Sequence, residues 1–292
     1  MATAGSPTVR RRRLAAELRR LRGNNRTGGE VARALGWSPA KISRYELGQG
    51  GFPLDEVGKL LDFYGVTKPR RTQLLDLAAD ANQRGWWEDY ADALAPEYMD
   101  FIGLEAEAAT ALVWQVETIP GLLQTEEYAR EIQAAFQNVK LNPPSTIEKR
   151  VRVRMIRQEA LTRRNSPPLK LSVVVDESAL LRKVGGRELM SAALRHMAKM
   201  AELPNVELRI LPLQSETALM ADSFVVFGFS SEGDAGKLGD VACTESLQSE
   251  LYIEGEDDTY IYRLFYQAFA RAALSPEESR SYVLATAERL WG

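Results

Sequence analysis

The chain has a single cysteine, Cys243, and a single histidine, His196. One cysteine cannot close an internal disulfide, and the two residues together cannot build a Cys/His metal cluster. A Cys-His dyad would have to close across 47 positions, and His196 lies between Arg195 and Met197 in an amphipathic stretch that suits a surface or boundary role. Long apolar runs are also missing. Segments such as Leu169 to Val175 carry Lys170 and are strand-sized, far short of the roughly 20 residues that span a bilayer. The Arg-rich start, Met1 to Arg13, holds no apolar core of signal-peptide length. Gly185-Gly186 and the run Gly233 to Gly239 lack the spacing of a phosphate-binding fingerprint and read as turns. The acidic residues Glu254, Glu256, Asp257 and Asp258 suit a helix N-terminus better than a metal site. No fixed-period repeat or low-complexity block occurs. The expectation is a cytoplasmic protein with no membrane association, no metal, no cofactor and no enzymatic activity.

What is present is an ordinary globular composition with an uneven distribution of charge. Of 292 residues, 45% are hydrophobic and 26% charged, enough to bury a core and to form about two domains. The net charge of -3 conceals a basic head on an acidic body. Residues 1–84 hold 16 Lys+Arg against 8 Asp+Glu, leaving 21 against 32 for residues 85–292 out of totals of 37 and 40. A module that neutralises phosphates and releases their counterions has such a balance, as does an ordinary solvated basic face.

Residues 1–8 read as a disordered leader and residues 9–84 as an all-helical domain. Leu14, Leu18 and Leu21 recur at helical spacing over about Val9 to Arg22. Gly23, Asn24 and Asn25 break that helix. A second runs from about Gly28 to Leu35, with Val31 and Leu35 inward and Gly36 as its stop. Ser38 and Pro39 supply an N-cap and a first-turn proline for a third, from Pro39 to about Leu47. Two short helices joined by a glycine-containing turn form a helix-turn-helix layout. Further helices over about Leu54 to Tyr64 and Lys68 to Ala81 close the domain. Residues 85–292 form a second region, read as helical over 86–164 and sheet-containing over 169–292. Its helices include about Thr125 to Phe136 and Thr146 to Arg163. Strands are expected over Leu169 to Val175, Val206 to Leu211, Phe224 to Phe229, Val241 to Thr244 and Glu250 to Ile253. An amphipathic helix, about Arg187 to Glu202, separates the first two, and helices over Asp257 to Ala273 and Pro276 to Leu290 close the chain. This pattern reads as α+β or α/β, with α+β the architecture expected: a helical segment, then a mixed sheet with helices.

The residues Ala32, Gly36, Ile42, Ser43, Glu46 and Gly48 match the pattern of XRE-type (Cro/repressor-like) transcriptional regulators, which the head resembles. A small residue lets two helices cross closely, the glycine turns the chain and the isoleucine plugs the core. The continuation is similar to regulators in which such a head precedes a C-terminal domain of unknown function, described as antitoxin-like. The phrases that carry this are Gly85-Trp86-Trp87, Ile102-Gly103-Leu104-Glu105, Pro120 to Thr125, Val174 to Glu177 and Leu203 to Val206. The chain departs from these relatives at Gly28-Gly29 and over Glu216 to Asp222.

The resemblance implies a lambda-repressor-like fold for the head and double-stranded DNA as its partner, with the third helix in the major groove. On that reading Ser38, Pro39, Ala40 and Lys41 stand at the reading end, and Lys41 and Arg44 are the expected base readers. Ser43 is placed at a phosphate or in packing. The start of the second helix, near Thr27, offers backbone amides to a phosphate. Arg10, Arg11 and the arginines that follow, with Arg26, are expected on the DNA backbone or in a minor-groove arm. Glu46 is implied to be an internal partner of Arg22. A homodimer is expected because one such helix reads few bases. The aromatic set Trp86, Trp87, Tyr90 and Trp114, with Glu105, could line a ligand or partner pocket or simply pack a core. Three readings stay open: a regulator whose body senses a small-molecule effector or a partner; an antitoxin-like protein that binds a small companion protein; and a small-molecule-binding enzyme with a degenerate head.

Overall fold

The computed structural model describes residues 7–135, 141–164, 166–217, 219–230, 239–245 and 250–292. The expected leader up to Ser6 and most of the run Gly233 to Gly239 therefore lie outside the described residues. The chain divides into two compact units, with the break in sequence after Glu88.

Among the described residues the first unit holds five α-helices: α1 (Pro7–Arg22), α2 (Gly28–Leu35), α3 (Pro39–Glu46), α4 (Leu54–Phe63) and α5 (Arg70–Ala81). Leu14 and Leu18 of α1, Val31 and Ala32 of α2, Ile42 and Tyr45 of α3, and Val57, Leu60 and Leu61 of α4 meet in one core with Leu74 and Ala78 of α5. Each helix thus turns the stripe of its own period inward. Between α3 and α4 the chain is pinned by Asn82, whose Nδ2 donates to the Phe52 carbonyl at 2.7 Å while its Oδ1 accepts from the Phe52 amide at 2.8 Å. That pairing satisfies the backbone of a fully buried residue as a strand would.

The second unit is built on a six-stranded mixed sheet among the described residues, in the order β3-β2-β1-β4-β5-β6. In chain order its elements are α6 (Pro96–Glu107), β1 (Thr110–Gln115), α7 (Glu126–Ala135), α8 (Pro144–Arg157), β2 (Lys170–Asp176), α9 (Ser178–Leu181), α10 (Arg187–Met200), β3 (Val206–Leu211), β4 (Phe224–Gly228), β5 (Val241–Glu245), β6 (Glu250–Glu254), α11 (Glu256–Ala272) and α12 (Pro276–Trp291). β1, β2 and β3 are parallel, while β4, β5 and β6 continue from β1 as an antiparallel meander. The parallel pairs need long crossovers, which the helices between them provide.

One expectation is corrected here. Residues 86–164 are not simply helical, because Thr110–Gln115 is a strand and lies in the middle of the sheet, between β2 and β4. Six residues covered on both faces show no clean alternation, so their period cannot separate strand from buried helix. On one face of this strand Trp114 stacks on Phe269 of α11, with ring centroids 4.1 Å apart, and its Nε1 donates to the Ala221 carbonyl at 3.0 Å.

Candidate nucleic-acid interface

The turn between α2 and α3 is fixed by local chemistry. Thr27 and Glu30 cap α2 reciprocally, the Thr27 amide donating to Glu30 Oε2 at 2.7 Å and the Glu30 amide to Thr27 Oγ1 at 3.2 Å. The Thr27 amide and the Thr27 hydroxyl, the latter at 3.0 Å, both donate to Glu30 Oε2 and hold the carboxyl below its usual range. Gly36 sits at φ +67°, a left-handed conformation that an L side chain resists, and the Trp37 amide closes the end of α2 on the Ala32 carbonyl at 2.7 Å. Ser38 then caps α3, its Oγ accepting from the Lys41 amide at 3.3 Å, with Pro39 at the first helical position.

α3 is gripped from behind. Ile42 and Tyr45 are buried in the head core. Arg22 of α1 donates from Nε to Glu46 Oε1 at 2.6 Å and from Nη2 to Oε2 at 3.2 Å, a bidentate pair. Arg22 Nη1 also donates to the Arg26 carbonyl at 2.7 Å, and Arg19 donates to the Glu46 carbonyl. The partnership of Arg22 and Glu46 expected from the sequence is therefore present. What α3 leaves exposed is Ala40, Ser43, Arg44 and Leu47, spaced i, i+3, i+4 and i+7 along one face, with Ser38 and Pro39 at its start. Leu47, at the C-cap, is 58% exposed. Sequence reasoning overlooked it, although its place one turn beyond Ser43 and Arg44 was a usable signal.

The structure separates the two cations expected to read bases. Arg44 is exposed, and its side chain makes no hydrogen bond or ion pair among the described residues. Lys41 is different: its Nζ lies 2.6 Å from Glu56 Oε1 of α4 and 4.3 Å from the Trp37 ring centroid. Tyr45 also donates to Glu56, whose carboxyl is held below its usual range by the hydrogen bonds from Lys41 and Tyr45. Lys41 is thus a partner inside the head, because a carboxylate and an aromatic face already satisfy its charge. Arg10 and Arg11 are likewise not a free arm. Arg10 is buried with Nη1 3.3 Å from Asp80 Oδ2, and Arg11 Nε donates to the Ala81 carbonyl at 2.9 Å, both fastening α1 to α5. Arg26 remains exposed, with its guanidinium 5.8 Å from the Phe63 ring centroid. Arg33, in the last turn of α2, is a further exposed cation, near enough to Glu30 to help lower that carboxyl's pKa but with no side-chain hydrogen bond or ion pair among the described residues.

The aromatic set is divided between the two units. Trp86 and Trp87 belong to the first unit and Tyr90, Glu105 and Trp114 to the second. Trp87 is buried against Trp86, and Trp114 is a sheet-core residue. Glu105 is buried in a bidentate pair with Arg157, both contacts at 2.7 Å, with the guanidinium lying over the rings of Phe101 and Tyr98. Trp87, Trp114 and Glu105 are thus occupied with packing.

Two family models match the chain. One, described as Helix-turn-helix domain, covers residues 13–74; the other, described as Domain of unknown function (DUF5753), covers residues 98–284, more than half of the chain. The chain belongs to the DUF5753 family. No curated protein and no solved structure matches it. The helix-turn-helix match spans most of α1 through the first turn and a half of α5, so it contains the capped turn, the Arg22–Glu46 pair and the exposed face of α3. The DUF5753 match runs from α6 into α12 and takes in the whole sheet. This chain is a helix-turn-helix protein with DNA as its partner, followed by a DUF5753 domain. None of its described helices is long and apolar enough to cross a membrane, and no metal-binding cluster of His, Cys, Asp or Glu occurs among the described residues.

Proposed function

We propose that this DUF5753 protein is a sequence-specific transcriptional regulator of the XRE type, cytoplasmic and homodimeric, with α3 lying in the major groove. One observation carries the reading: α3 is capped, anchored by Arg22 through Glu46, and exposes Ala40, Ser43, Arg44 and Leu47 as a continuous strip. Arg44 can donate two hydrogen bonds to guanine, while the methyl of Ala40 and the side chain of Leu47 suit a thymine methyl. Arg26 and Arg33 add charge for the phosphates without reading sequence. A dimer doubles the number of bases read and sets two half-sites about one helical turn apart.

The reading assigns regulation, not catalysis, to the second unit. Cys243 is buried in β5, and His196 lies on α10 with its basicity lowered by burial and by Lys199 nearby. The test is selection of bound fragments from random duplex DNA with the full chain, repeated with Arg44→Ala. The reading expects a defined motif that is lost or relaxed at one position in the variant. Recovery of unrelated fragments by the native chain, or an identical motif from Arg44→Ala, refutes it.

A further inference from the structure

α11 carries an apolar stripe on the side turned away from its own sheet. Tyr262, Phe265, Tyr266 and Phe269 pack inward on the sheet core. On the opposite side Tyr260, Ile261 and Leu264 are 57%, 52% and 42% exposed. A helix packed by one face normally gives water a polar opposite face, and a contiguous exposed apolar strip marks an interaction surface. The ends of the same strip are charged with opposite sign: Asp257 lies seven residues before Leu264 and Arg271 seven after. At 3.6 residues per turn all three fall on one side of the helix. Asp257 and Arg271 are exposed, and neither has an ion-pair partner among the described residues.

We infer that this outward face of α11 is where two copies of the chain pair, antiparallel about a two-fold axis through Leu264. The inference rests on the dimer reading above and names its surface. In an isologous contact the same patch must be complementary to itself. Antiparallel pairing about Leu264 meets that demand, because it sets Asp257 of each copy opposite Arg271 of the other, with Tyr260, Ile261 and Leu264 closing the middle. A parallel arrangement sets Asp257 against Asp257 and Arg271 against Arg271, and like charges across an interface are strongly disfavoured. The charge pattern therefore selects both the occupant, a second copy, and its direction.

The test uses the full chain in sedimentation equilibrium with three variants, Asp257→Arg, Arg271→Asp and the double reversal. The native chain is expected to dimerise. Each single reversal creates two like-charge contacts per dimer and weakens pairing by at least roughly tenfold. The double reversal restores native pairing, which a misfolded helix could not do. Leu264→Asp, which places two carboxylates face to face on the axis, also gives monomers. A native chain that stays single at all concentrations refutes the dimer reading itself. A native dimer that every variant retains refutes only this surface, and single reversals that the double fails to rescue overturn the antiparallel register.

Discussion

Lys41 is bound to Glu56 across the gap between α3 and α4, with Nζ and Oε1 2.6 Å apart over the ring of Trp37. The contact ties up one cation of α3 and leaves Arg44 as the charged member of that helix's exposed strip. Arg44→Ala is accordingly expected to cost about 1–3 kcal/mol of binding to the selected motif and to relax one position of it. Lys41→Ala is expected to change specificity little. Titrations of labelled duplexes with both variants check this, and equal losses would contradict the division of labour.

Glu56→Gln releases Lys41 from its ion pair. The freed ammonium is expected to strengthen binding to all duplexes alike and to steepen the salt dependence of log K by about 0.9, the increment of one more phosphate contact. The slope measured for the native chain and for Glu56→Gln decides the point.

Arg22 and Glu46 make a different pair, one that holds α3 to α1. Arg22→Met leaves Glu46 partly buried without its donor and is expected to cost the head about 1–3 kcal/mol. Thermal unfolding followed by circular dichroism should show an earlier transition. An unchanged melting temperature would remove the anchoring role.

Glu17 gives the head an acid-sensitive joint. Burial raises its pKa, but hydrogen bonds from Arg20 at 2.9 Å and Arg70 at 2.6 Å outweigh burial and hold the carboxyl below its ordinary value of 4.5. A carboxyl depressed on folding stabilises the native state above its unfolded pKa, and that stability drains as pH falls through the folded pKa. Glu17→Gln is therefore expected to lower stability near neutrality and to flatten its decline below pH 4.5. Denaturant melts of both proteins across that range test the sign.

In the DUF5753 domain Arg157 and Glu105 are both buried. Removing one partner strands a charge in a low-dielectric interior, so Arg157→Met or Glu105→Leu alone is expected to cost about 3–5 kcal/mol, and the double substitution less than either. A calorimetric double-mutant cycle measures the coupling, and additive losses would contradict it.

Much of the head was legible because its signals are local. Gly36 has to accept a positive φ, Ser38 and Pro39 start a helix, and Leu14 and Leu18 repeat at helical spacing; each rule acts within a few residues. The same holds for β2 to β6, each a strand-forming run legible within its own few residues. β1 escaped because its six residues place apolar side chains on both faces and so carry no distinguishing period. Arg10 and Arg11 looked like an arm because Asp80 and Ala81, which hold them, lie about 70 residues away in sequence.

By itself the sequence determined the capped turn, the inward stripes of the helices and the basic balance of the head, since propensity, capping and charge are properties of neighbouring residues. The tertiary structure alone decided which cations remain available. Lys41, Arg10 and Arg11 are cations like Arg44 and Arg33, and what sets them apart is a carboxylate or carbonyl, distant in sequence, that the fold brings against them. A charge folded against such a partner is satisfied within the chain, whereas one left in water keeps its donors for a phosphate or a base.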